Sequence, residues 1–98
     1  MSSKELLYSP KALQDLDEIW SYSAQMWDEE RADLYIRKIT SICENVRLHP
    51  QMAKRRDDIR KNYRSILSGS HIIFFKETLD DLPVIRILHQ RMDFQSWI

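Results

Sequence analysis

Apolar residues recur three and four positions apart in two stretches of the chain, and this period predicts two amphipathic α-helices. The first stretch follows Ser9-Pro10, where the serine supplies an N-cap oxygen and the proline opens the first turn. The second begins after Asp28 and ends at Pro50. A short apolar segment, Lys4 to Tyr8, precedes both and predicts a strand. The predicted core side of the first helix consists of Leu13, Leu16, Trp20 and Trp27, with Ala12, Ile19 and Met26 beside them.

Acidic residues of the two helices fall outside these apolar positions. We interpret Asp15, Asp17 and Glu18 of the first helix as charges that face water. The second helix starts at Asp28-Glu29-Glu30, where free backbone N–H groups and the helix dipole favour carboxylates. A very short connection makes the two helices a hairpin. The predicted core side of the second helix consists of Ala32, Tyr35, Ile39, Ile42 and Val46, with Ile36 and Cys43 beside them.

After Pro50 the helical period is lost, and short apolar runs alternate with turn residues. Residues Gln51 to Asp58 are polar and basic, and we predict a connection without regular structure there. Strands are predicted at Ile59 to Ile66, Ser70 to Thr78 and Pro83 to Gln90. The only glycine, Gly69, suits a hairpin position that requires φ > 0. The order β-α-α-β-β-β predicts an α+β fold, with the helical hairpin packed on a small, mainly antiparallel sheet.

Length and composition are those of one small globular domain. The chain has 98 residues, 43% of them hydrophobic and 31% charged, and we expect a single domain over residues 1–98. A domain of this size buries only roughly 60–65% of its unfolded surface, so a bound partner would add substantially to its stability. No stretch reaches about 18 apolar residues, and no charged, apolar leader opens the chain. We expect a soluble, cytoplasmic protein with no membrane partner.

Residue types that carry catalysis or hold cofactors form no recognisable motif. The only cysteine, Cys43, lies in a helical apolar pattern and is predicted to be a buried small side chain. The three histidines are spread over the chain without the spacing of metal ligands, and one glycine cannot build a phosphate-binding loop. The residues favour a binding protein over an enzyme, and we expect neither metal nor cofactor.

Positive charge is concentrated in residues 51–64, although the formal net charge of the chain is zero. This segment holds six Lys/Arg against two Asp/Glu. Two interpretations remain open: a solvated loop, or a contact site for an acidic partner. Because the net charge is zero, no overall electrostatic attraction draws the protein to nucleic acid. We therefore expect no direct sequence-specific binding of nucleic acid.

Cationic and aromatic side chains follow one another near the C-terminus. Arg64, Arg86 and Arg91 lie on or just beyond neighbouring predicted strands and are candidates for one clamp on phosphate or carboxylate. Arg86 interrupts an apolar strand, so it either points to solvent or pairs with a carboxylate such as Asp93. The tail, Phe94 to Ile98, is apolar, and we expect it to pack on the domain or on a partner. Its rings suit base stacking and protein contacts equally well.

Three segments together resemble the ParE branch of the RelE/ParE toxins. They are Ser9-Pro10-x-Ala12-x-x-Asp15-Leu16, then Ile59-Arg60-x-x-Tyr63-Arg64 followed by Gly69-Ser70-His71, and the strand end His89-x-Arg91-Met92-Asp93. The likeness covers essentially the whole chain and agrees with the predicted order of elements. It implies the toxin of a type II toxin–antitoxin system, held inactive by an antitoxin of the ParD kind or by another small, partly disordered protein.

The resemblance offers two activities on one fold. RelE-type members cleave mRNA on the ribosome with basic residues and a C-terminal Tyr, His or Glu. Here Arg64 and Arg91 approximate the basic positions and His89 is the candidate for proton transfer, but Phe94 and Trp97 stand where a catalytic Tyr would lie. ParE-type members instead trap the cleavage complex of DNA gyrase. The resemblance therefore favours a gyrase inhibitor that acts by binding, with target contacts at Arg60, Arg64, Arg86, Arg91, Phe94 and Trp97.

The hairpin also suggests how an antitoxin would bind. We expect an amphipathic helix of the antitoxin in the groove of the hairpin and an extended segment added to a sheet edge. Tyr22, Met26 and Leu34 are left over from the core pattern and are the candidate contacts, although ordinary exposed apolar side chains are an equal alternative. A third possibility for the whole protein is a non-toxic binding module or corepressor of its operon.

Overall fold

A computed structural model describes residues 3–98. Five strands form one sheet in the order β1-β5-β4-β3-β2, and two consecutive helices pack against it. The elements are β1 (Glu5–Tyr8), α1 (Pro10–Met26), α2 (Glu29–Leu48), β2 (Lys54–Arg55), β3 (Tyr63–Ser68), β4 (His71–Lys76) and β5 (Asp81–His89), with single 3-10 turns at Pro50–Met52 and Phe94–Ser96.

The predicted α+β architecture is confirmed. Strands β2, β3, β4 and β5 are antiparallel neighbours, whereas β1 pairs in parallel with the first half of β5, from Asp81 to Val84. The sheet is therefore mixed but mainly antiparallel. Neither helix in the described part of the chain is long and apolar enough to cross a membrane.

Residues 51–62 differ from the prediction in two ways. The segment from Gln51 to Asp58 contains β2, a two-residue strand that pairs with Arg64 and Ser65. The strand predicted from Ile59 begins only at Tyr63. A tight loop precedes it, in which Asn62 adopts φ 69° and donates its backbone N–H to the Asp57 carboxylate. Backbone pairing with β3 defines β2, and the turn at Asp57 and Asn62 delays the start of β3. Neither feature produces a pattern of apolar residues in the sequence.

Side-chain caps fix the starts of both helices, as the sequence predicts. The Ser9 hydroxyl accepts a hydrogen bond from Ala12 N at 3.0 Å and donates one to the carbonyl of Ile85 at 2.7 Å. The Asp28 carboxylate accepts one from Arg31 N at 2.7 Å. Each cap satisfies an N–H that the helix leaves unpaired. Ser9 also ties the start of α1 to β5.

The core side of α2 is as predicted, but that of α1 is rotated. Ala32, Ile39, Cys43 and Val46 of α2 are buried. The predicted core residues Leu13, Met26 and Trp27 are exposed, whereas Ala12 and Ile19 are buried as predicted and share their stripe with two polar residues that the prediction did not include. That stripe brings α1 close to α2 and β5 and places a carboxylate inside. The buried residues of α1 are Ala12, Asp15, Ile19 and Ser23.

The turn between β3 and β4 requires its glycine. Gly69 has φ +58°, which confirms the predicted left-handed position, and a Cβ there would lie 2.7 Å from the Tyr35 hydroxyl oxygen. That hydroxyl accepts a hydrogen bond from Ser70 N at 3.0 Å. Tyr35 of α2 therefore holds the tip of the β3–β4 hairpin against the helices.

Candidate functional site

A buried ion pair joins α1 to β5. The Asp15 carboxylate accepts two hydrogen bonds from the Arg86 guanidinium, each 2.8 Å long, and a third from Ile87 N at 2.9 Å. The side chains of Asp15 and Arg86 are only 7% and 12% exposed. The prediction that Asp15 faces water is therefore wrong, and the partner of Arg86 is Asp15 rather than Asp93.

The position of Asp15 follows from the sheet topology. Strand β1 ends at Tyr8, opposite Val84, whereas β5 continues to His89 without a strand on that side. Asp15 takes the N–H that Ile87 presents at this uncovered edge. The hydrogen bonds that the Arg86 guanidinium donates to the Asp15 carboxylate raise its pKa. A buried pair is retained only when its remaining hydrogen-bonding groups are satisfied, and this geometry meets that condition.

Arg86 also anchors the tail. Its Nη1 donates to the carbonyl of Trp97 at 2.9 Å, and its guanidinium carbon lies 6.0 Å from the centroid of the Trp97 ring. Farther along the same sheet, the Phe94 ring lies 5.3 Å from the ring of Phe74, and the Arg56 guanidinium lies 4.9 Å from Phe94. The tail packs on the sheet, and Trp97 remains about half exposed.

The structure brings together four of the six predicted target contacts. Arg86, Phe94 and Trp97 meet at the tail, and Arg60 lines a neighbouring cleft with Gln95 and Ile98. The other two are separate. Arg64 donates to the Glu77 carboxylate at 2.7 Å and to the carbonyl of Ala53 at 2.8 Å, and Arg91 is exposed just before the tail.

Much of the positive charge of residues 51–64 is neutralised. Arg55 pairs with Asp57, Arg56 with Asp58, and Arg64 with Glu77. Within residues 3–98, the cations of this segment that form no ion pair are Lys54, Arg60 and Lys61. Half of its cations therefore have carboxylate partners, and of the other three Arg60 lines the cleft that contains Gln95 and Ile98.

The three candidate ribonuclease residues do not form one cluster. His89 pairs with His71 in the sheet, whereas Arg64 pairs with Phe75, four residues further along β4. That offset corresponds to roughly 13 Å along the strand, with a further strand in between. Arg91 does lie beside His89, whose Nδ1 accepts its backbone N–H at 3.1 Å. Arg64, however, donates its hydrogen bonds to the Glu77 carboxylate and the Ala53 carbonyl.

A chain of polar side chains links α2 to the end of β5. The Tyr35 hydroxyl oxygen lies 2.6 Å from Nδ1 of His71, and the His71 ring centroid lies 5.4 Å from that of His89. Burial, and then the neighbouring His89, lower the pKa of His71 to about 4. The imidazole is therefore neutral near pH 7 and shares a hydrogen bond with the hydroxyl of Tyr35.

Two clefts flank this polar chain. One cleft, of about 350 Å³, lies between α1 and the tail, and we call it the α1–tail cleft. Its lining includes Glu18, Tyr22, His71, His89 and Trp97. The other, of about 440 Å³, is lined by Trp27, Arg31, Leu34, Tyr35 and Lys38, and we call it the hairpin cleft.

The candidate antitoxin contacts are all exposed, but they divide between the clefts. Tyr22 lines the α1–tail cleft and Leu34 lines the hairpin cleft, while Met26 lines neither. Sequence reasoning missed Asp15, Tyr35 and His71. A signal existed for Asp15, because it stands three residues after Ala12 and four before Ile19, inside the buried stripe. No group of three or more His, Cys, Asp or Glu residues within positions 3–98 is placed to hold a metal ion.

Removal of Asp15 should destabilise the protein more than removal of a surface acid. We expect Asp15→Ala to lower the free energy of unfolding by about 3–5 kcal/mol, because Arg86 is left buried and unpaired. Asp17→Ala, on the exposed side of the same helix, is the control and should change it by less than about 0.5 kcal/mol. Urea denaturation measures both, and equal effects of the two substitutions would contradict the role given to the ion pair.

Stability should fall in mild acid because of His71. The imidazole has a pKa of about 4 in the folded protein and of roughly 6.5 in the unfolded chain. Between these values the unfolded chain binds more protons, so the folded state loses stability as the pH falls from 6.5 towards 4. His71→Gln should flatten this dependence of the urea midpoint, and His49→Gln, an exposed control, should retain it. An unchanged slope in His71→Gln would refute the assignment.

The chain matches known proteins over nearly its whole length. A family model described as the ParE toxin of the type II toxin-antitoxin system parDE matches residues 6–94. Toxin ParE1 of Mycobacterium tuberculosis (strain H37Rv) is 37% identical over 94 residues, which cover 95% of each chain. Toxin ParE1 of Caulobacter vibrioides is 39% identical over 88 residues, which cover 90% of this chain and 91% of that protein.

The fold is shared with a solved structure. A chain from the structure described as a chromosomal ParDE TA system from P. aeruginosa superposes with a TM-score of 0.77. The match covers 89% of this chain and 96% of that one, at 17% identity, and it agrees with the helical hairpin and mixed sheet described above. By the family match and by sequence identity to its relatives, the chain belongs to the ParE family of toxins of type II toxin–antitoxin systems.

Proposed function

We propose that this ParE toxin acts by binding DNA gyrase and trapping its cleavage complex, with no chemistry of its own. The observation that carries the proposal is the tail, which packs on Arg86 and presents Trp97 half exposed. Arg60 lines a cleft with Gln95 and Ile98 of the same tail, and exposed Arg91 precedes the tail in the chain. Tryptophan and arginine are the residue types that most often dominate protein interfaces. The separation of Arg64 from His89 argues against the alternative of mRNA cleavage, which requires the reacting groups within hydrogen-bond reach of one substrate.

The hairpin cleft is the proposed binding site of the antitoxin. Its floor is apolar and aromatic, from Trp27, Leu34 and Tyr35, and its rim carries Arg31 and Lys38. A groove of this kind fits an amphipathic helix whose apolar residues fill the floor and whose carboxylates face the two cations. Exposed Leu34 is the central anchor of the proposed contact.

The target is identified by two assays on the purified protein. We expect accumulation of cleaved DNA in a gyrase supercoiling reaction and intact mRNA in a ribosome-coupled translation reaction. Deletion of Trp97-Ile98 should reduce gyrase inhibition at least about tenfold, because a buried interface tryptophan typically contributes more than 1–2 kcal/mol. Leu79→Ser, which changes an exposed apolar residue at the β4–β5 turn, is the control. Ribosome-dependent cleavage without gyrase inhibition would refute the proposal.

A charge placed in the hairpin cleft tests this antitoxin-binding site. Leu34→Glu should weaken antitoxin binding at least about tenfold, because it places a carboxylate in an apolar contact. Leu13→Glu changes an equally exposed leucine on α1, outside both clefts, and should bind normally. Isothermal titration calorimetry with the antitoxin encoded beside this toxin measures both. Unchanged affinity of Leu34→Glu would remove the hairpin cleft from the interface.

A further inference from the structure

The α1–tail cleft has aromatic walls and one uncompensated charge. Tyr22 on α1 is 62% exposed and Trp97 on the tail is 51% exposed, so both rings offer free surface to a ligand. Asp15 and Arg86, which also line it, neutralise each other. Glu18 forms no ion pair with any residue in the described range 3–98, and its carboxylate accepts a hydrogen bond from the Gln14 amide at 3.4 Å. After Asp15, its charge also helps to raise the pKa of the Arg86 guanidinium, and the three side chains together leave one negative charge in the cleft.

These features select a cationic, planar ligand group. A guanidinium stacks on tyrosine and tryptophan faces and pairs with a carboxylate through two parallel hydrogen bonds. A carboxylate or phosphate would meet Glu18 with the same sign of charge, and Arg86 has no free charge to offer because Asp15 already holds it. Neutral His71 adds no opposing charge near pH 7.

We propose that the α1–tail cleft binds an arginine side chain of the antitoxin, stacked on Tyr22 and Trp97 and paired with Glu18. The choice of the antitoxin follows from the position of the cleft. His71 lines the α1–tail cleft and Tyr35 lines the hairpin cleft, and the two side chains are 2.6 Å apart. An antitoxin segment that extends from the proposed binding site in the hairpin cleft would therefore enter the adjacent α1–tail cleft.

This site gives the antitoxin a direct means of neutralisation, which rests on the proposed gyrase contact of the tail. An arginine stacked on Trp97 covers the exposed ring that is proposed to meet gyrase. The antitoxin and gyrase then compete for one side chain, and no change in the fold of the toxin is needed.

The chemistry of the cleft is tested first with a small probe and the full chain. N-acetylarginine amide should shift the Trp97 indole N–H signal in NMR spectra at millimolar concentration. N-acetylcitrulline amide has nearly the same shape without the charge and should produce no comparable shift. Glu18→Gln should weaken arginine binding about fivefold or more, while Asp17→Asn, its exposed neighbour on α1, should not. No indole shift, or equal shifts with both probes, would overturn the proposal.

The source of the arginine is tested with the antitoxin encoded beside this toxin. Glu18→Gln should lower its affinity about fivefold or more, and Asp17→Asn should leave the affinity unchanged. Arginine amide binding together with unaltered antitoxin affinity would assign the cleft to another occupant and refute the proposal. These readouts do not involve gyrase, so a protein that fails to inhibit gyrase can still pass them.

Discussion

The buried pair of Asp15 and Arg86 connects α1 to a strand and a tail that lie at the other end of the chain. Its carboxylate comes from α1, its guanidinium comes from β5, and the guanidinium also holds the carbonyl of Trp97 in the tail. Since β1 covers only the first half of β5, the second half presents an open sheet edge, which is a hazard for aggregation. Asp15 occupies the N–H of Ile87 at that edge and draws α1 across it. The position of the candidate target surface thus depends on an ion pair in the interior.

The distribution of charge shapes what the surface can bind. Ion pairs within residues 51–77 neutralise Arg55, Arg56 and Arg64, so these arginines have structural partners before any ligand arrives. Arg60 and Arg91 remain available, and both lie near the tail. This arrangement fits recognition of a protein or protein–DNA surface by a few residues better than a continuous electropositive track for RNA.

The contact of Tyr35 with His71 places the two clefts side by side. A tyrosine on α2 fixes the β3–β4 turn and also meets the imidazole that lines the cleft beside the tail. The two clefts are therefore adjacent and are separated by this contact. The family match supports an antitoxin as a partner, and the shared contact of Tyr35 with His71 supports the proposal that this partner reaches both the helical hairpin and the tail.

The sequence by itself determined the elements of the fold and many of their ends. Helical periodicity, the caps at Ser9 and Asp28, and the left-handed Gly69 are local properties, and each is visible in a few consecutive residues. The motifs that resemble ParE also spanned the chain, and the family match agrees with them. The two-residue β2 escaped prediction because a backbone ladder to β3 defines it, without a side-chain pattern.

Only the tertiary structure decided which polar residues work together. Asp15 and Arg86 are 71 positions apart. From the sequence alone, a carboxylate in a helix is assigned to the solvent side, because its buried partner is not visible nearby. The same applies to Arg64, which resembled a site residue but is held by Glu77 and Ala53. Pairing of this kind depends on distance and burial, which chain topology sets and local sequence does not encode.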